Sequence, residues 1–84
     1  MKYQQITDLR DWAPHSVLVH INRDQKAVAR LYHPKTIPAD WRDIEVALNQ
    51  AHSFVHSQPD YRDVLVYLED GAEWNDQLGE LVSP

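Results

Sequence analysis

The chain has 84 residues, 43% hydrophobic and 25% charged, with eight Lys and Arg against thirteen Asp and Glu for a net charge of −5. So many apolar residues in so short a chain imply a single compact domain spanning residues 1–84, which excludes both a disordered segment and a second core. There is no cysteine, which excludes a disulfide framework, a thiolate zinc site and a thiol nucleophile; no apolar run nears the roughly 20 residues of a membrane span or resembles a signal peptide, so a cytoplasmic protein is expected.

From the N-terminus, Thr7 is placed to cap a short turn of Asp8 to Trp12, with Leu9 and Trp12 directed at the core. Val17, Val19 and Ile21 then alternate with Leu18, His20 and Asn22, which is strand periodicity. Asn22, Arg23, Asp24 and Gln25 are turn formers, and alternation resumes from Ala27, so a hairpin of Ser16 to Asn22 with Lys26 to His33 is predicted. Thr36 to Ser57 reads as the longest helix. Thr36 and Ile37 precede a proline suited to the first turn, Asp40 and Asp43 sit where the helix dipole favours acids, and Trp41, Ile44, Leu48, Ala51 and Val55 form one apolar stripe.

Pro59 ends that helix. Asp63 to Asp70 is a third strand, apolar on both sides, and Gly71 stops it. Trp74, Leu78 and Leu81 follow at helical spacing and predict a short C-terminal helix, weakened by Gly79. The fold class expected is α+β: a two-layer sandwich with a small, mostly antiparallel three-stranded sheet (ββαβ, order 2-1-3). The first strand is central and antiparallel to both neighbours, and one long helix packs on the sheet.

The charge is unevenly spread. Residues 1–59 carry seven basic and six acidic groups, whereas residues 60–84 carry Asp60, Asp63, Glu69, Asp70, Glu73, Asp76 and Glu80 against Arg62 alone. Direct nucleic-acid binding needs a basic surface that displaces counterions, so it is excluded. Glycine-rich phosphate loops are excluded too, since Gly71 and Gly79 are the only glycines. None of Thr7, Ser16, Thr36, Ser53, Ser57 and Ser83 lies in the glycine-bearing turn that an oxyanion hole usually needs. The acids beside the third strand carry no mark of a buried, raised-pKa carboxyl, so no catalytic residue is assigned.

Five histidines are many for this length. His52 and His56 lie one helical turn apart, flanked by Glu45 and Asn49, a spacing that lets two imidazoles share a metal. Yet Ser53 stands where a zinc protease has Glu, and a third ligand would have to come from Glu45 or from a sheet histidine, His20 or His33. Neither a metal nor another cofactor is therefore expected.

The composition of a small, acidic, cysteine-free α+β chain resembles that of the stand-alone inhibitors and immunity-type proteins of phages and mobile elements, among them anti-CRISPR proteins and nucleic-acid mimics. The resemblance transfers no residue. It implies a non-enzymatic module covering a basic site on a partner protein that itself binds nucleic acid. The expected contact surface is Asp60, Tyr61, Asp63, Tyr67, Glu69, Asp70, Glu73, Trp74 and Asp76, aromatic anchors ringed by acids. The alternatives are a metal-dependent or hydrolytic protein using the helix histidines, and a structural domain that forms a homodimer through a sheet edge.

Overall fold

The structure is a computed structural model and describes residues 2–32 and 40–84. A 14-residue helix lies on one face of a six-stranded mixed sheet. The strands are β1 (Lys2–Ile6), β2 (Ser16–Ile21), β3 (Lys26–Leu31), β4 (Arg42–Asp43), β5 (Asp63–Leu68) and β6 (Glu80–Val82), and the helix α1 spans Ile44–Ser57. Across the sheet the order is β4-β3-β2-β5-β1-β6. No helix among the described residues is long and apolar enough to cross a membrane.

The hairpin forms where the turn residues lie. The Asn22 side-chain oxygen accepts from the N–H groups of Asp24 and Lys26, both at 3.0 Å. Gln25 takes the left-handed conformation at φ 61°, which closes the turn and pairs Ile21 with Ala27 and Val17 with Leu31. His33, the expected end of the second strand, lies outside the described residues.

Three of the six strands are those expected, in the expected relative order β3-β2-β5. Their directions differ: β2 is antiparallel to β3 but parallel to β5. The cause is β4. Asp43 pairs with Lys26 and Arg42 with Ala27, so the chain has returned to the start of β3 before the helix begins. The helix, about 21 Å long, then carries the chain back past β3 and β2, and β5 starts beside the start of β2.

The remaining strands lie at the chain ends. β1 pairs in parallel with both β5 and β6, and so converts the expected three-stranded sheet into a larger one. The expected turn after it is a single 3-10 turn over Leu9–Asp11, capped by Asp8 and not by Thr7. Trp12 packs inward as expected, but Leu9 is exposed. The expected C-terminal helix is also only one 3-10 turn, Asp76–Leu78. Gly79, at φ 140°, takes a backbone conformation closed to other residues and turns the chain into β6.

The helix begins later than its stripe predicts, at Ile44, because Arg42 and Asp43 are bound to β3. Its proposed start at Thr36, Ile37 and Pro38 lies outside the described residues. Ala47, Leu48 and Ala51 are buried against Val17, Val19, Ile21, Ala27, Ala29, Val66 and Tyr3. Two alanines on the contact face bring the helix close to the valines of β2. Among the described residues no α-helix covers the other face of the sheet, and its buried centre is Ile6, Leu18 and Leu65.

Candidate functional site

Strand alternation divides the side chains of β2 between two surroundings. Val17, Val19 and Ile21 face α1, while Leu18 and His20 face the helix-free side. In register with them on β5 are Leu65 and Tyr67, and on β1 Ile6 stands beside Tyr67. The helix-free face is therefore an apolar strip that becomes aromatic toward the carboxyl ends of β2 and β5.

Trp12 and Trp41 reach onto this face from outside the strands. The Trp12 indole N–H donates to the Ser16 carbonyl at 3.1 Å, and the ring meets Tyr32 edge to face at 5.3 Å. Trp41 departs from its expected place on the helix stripe. It precedes the helix and packs edge-on to His20, with ring centroids 5.3 Å apart, and is 42% exposed. His20 in turn meets Tyr67 edge-on at 5.0 Å, so one imidazole lies between two aromatic rings.

His20 is also the polar centre of the patch. Its Nε2 is buried without a hydrogen-bond partner, and the Glu69 carboxylate lies 3.7 Å from it, beyond hydrogen-bond reach. Burial pushes the imidazole below its ordinary pKa and the Arg30 charge adds to that, against an opposing pull from Glu69. Glu69 is itself fixed at the end of β5 by its N–H, which donates to the Ile21 carbonyl at 2.9 Å.

The nine residues expected as one contact surface fall in four places. Tyr67 and Glu69 belong to the patch around His20, with Asp70 exposed beyond them. Tyr61 and Trp74 pack on the opposite, helix-side core, and Trp74 donates its indole N–H to the Gly79 carbonyl at 2.9 Å. Asp60 and Asp63 are exposed at the start of β5, while Glu73 and Asp76 are exposed on the segment after it. The Glu73 N–H reaches the Gln25 side chain of the hairpin at 3.3 Å.

Of the histidines considered as metal ligands, His33 lies outside the described residues, and the others gather no third ligand. His52 accepts from or donates to the Tyr3 hydroxyl at 2.8 Å, His56 is exposed at the end of α1, and His20 lies across the sheet from both. Among the described residues no three His, Asp or Glu side chains converge as a metal ion requires.

Sequence reasoning missed Trp41 and His20 as members of one site. The available signal was Leu18 and His20 on one side of β2, in phase with Leu65 and Tyr67 on β5, a pairing that emerges only once the two strands are parallel. No protein family, curated protein or solved structure matches the chain. No relative's chemistry therefore transfers to these residues.

Proposed function

We propose that the protein is a non-enzymatic binding module of inhibitor type, which covers a basic site on a partner protein that handles nucleic acid. Its contact surface is the helix-free face at the carboxyl ends of β2 and β5, with Trp41 and Tyr67 as anchors and Glu69 and Asp70 as charges. The observation that carries this reading is Trp41, an indole 42% exposed and held edge-on by His20 beside an acidic strand end. Trp41 stands in one aromatic cluster with His20 and Tyr67, and tryptophan is among the side chains most enriched in binding hot spots. The net charge of −5 favours a basic partner and disfavours phosphate backbones.

Affinity capture from the native host, run in parallel with the parent chain, Trp41→Ala and the Glu69→Gln/Asp70→Asn double variant, tests this. A basic protein held by the parent should be lost from Trp41→Ala, at a cost of about 2 kcal/mol or more in affinity, and should associate more slowly with the double variant. A partner that binds all three chains with the same affinity and rate would place the contact surface elsewhere.

A further inference from the structure

We propose that the cleft between the beginnings of β1 and β5 is a binding site for a small organic anion, a carboxylate or phosphate head on an apolar body. This cleft lies at the opposite end of β5 from Tyr67 and Glu69, and the proposal is independent of the binding surface described above.

The cleft exists because the parallel ladder between β1 and β5 opens like a fork. Pairing runs only from Gln4 with Leu65 to Ile6 with Tyr67, although β1 starts at Lys2 and β5 at Asp63. Over those first residues β5 stays paired with β2 and β1 with β6. The β1–β5 ladder therefore stops short of both strand starts, which border a space of about 410 Å³. That volume lies within the range of small-molecule sites.

Its walls suit an anion with an apolar body. Val55 and Val64 supply apolar surface, and Lys2 and Arg62 stand in the lining as cations. The Arg62 guanidinium has no carboxylate partner among the described residues. Lys2 pairs with Glu80 at 3.6 Å, an exposed pair of the kind that contributes little and exchanges readily. Asp63 also lines the cleft and offsets part of this positive charge.

A hydroxyl–imidazole couple stands in the lining. The Tyr3 hydroxyl and His52 Nε2 are 2.8 Å apart, and burial pushes the phenol above its ordinary pKa, so it keeps its proton. If the phenol donates to Nε2, the imidazole retains its Nδ1–H. If Nε2–H donates to the phenol, the tyrosine proton is free to turn elsewhere. Either arrangement leaves one donor that the couple does not use internally.

Two-dimensional NMR of the full chain, titrated separately with benzoate, phenyl phosphate and uncharged benzamide, tests the site. At least one of the two anions should shift the Tyr3, Val64 and His52 ring signals saturably, with a dissociation constant on the order of millimolar for so small a ligand. Which of the two does so identifies the head group. Arg62→Gln, a change at an exposed position, should weaken that anion about tenfold, as expected for one charge-assisted contact. Tyr3→Phe should weaken it too while the dispersed spectrum is kept. Absence of saturable shifts with both anions, an equal response to benzamide, or parental affinity in Arg62→Gln would each overturn the proposal.

Discussion

His20 holds the least compensated polar atom described in the molecule, and its titration sets a stability profile. Burial and Arg30 lower its pKa in the folded chain, whereas the unfolded chain titrates near the ordinary value of 6.5. Between those two values the unfolded state binds more protons than the folded one, so stability is complete above pH 6.5 and declines as pH falls through the window. Asp8 and Asp43 are also shifted, downward, by hydrogen bonds from Arg10 and Lys26 respectively, but their ordinary value is 3.8 and their effect begins at lower pH. Urea unfolding at pH 7.5 and at pH 5 should therefore show a loss that His20→Leu abolishes. The same substitution should be neutral or stabilising at pH 7.5, because it removes a buried nitrogen that has no partner. An unchanged acid dependence in His20→Leu would assign the loss to other groups.

At the scale of elements, two substitutions separate this fold from the one that periodicity predicts. Leu48 is 4% exposed between α1 and the sheet, and truncation to Ala should cost about 2 to 5 kcal/mol by urea or thermal unfolding. Gly79→Ala reverses sign between the two folds. In the expected C-terminal helix it would stabilise by about 1 kcal/mol; at φ 140° ahead of β6 it should destabilise by about 1 to 3 kcal/mol. The elements legible in the sequence are those with a sustained period: β2, β3, most of α1 and β5. Apolar side chains on both sides of Val64 to Leu68 are the mark of a strand inside a parallel pairing, and they point to the β2–β5 direction that the structure has rather than to the antiparallel one expected. β1 was not legible, since its two buried residues, Tyr3 and Ile6, are three apart and face opposite sides, which matches no strand template. Trp41 fits helical spacing from Ile44 by coincidence of number; the pairing of Arg42 and Asp43 with β3, a long-range contact, decides that it lies elsewhere.

At the scale of the whole molecule, the acidity of residues 60–84 is not one surface. Asp60 and Asp63 lie at the beginning of β5, and Glu69, Asp70 and Glu73 lie at or beyond its end. Six residues of strand separate Asp63 from Glu69, about 20 Å at the rise of an extended chain. The Debye length is about 8 Å at physiological ionic strength and about 30 Å at 0.01 M. In physiological salt the two ends are therefore screened from each other, and only the one beside Trp41 should steer a partner; in dilute salt both should act as parts of one field. With a captured partner in hand, stopped-flow association of two variants makes this measurable. Asp60→Asn/Asp63→Asn should match the parent at 0.15 M salt and fall below it at 0.01 M. Glu69→Gln/Asp70→Asn/Glu73→Gln should be slower than the parent at both, with little change in folding stability, because exposed charges contribute little to it. If the first variant is instead the slower of the two at 0.15 M, the partner approaches the beginning of β5, and Trp41 lies outside the contact.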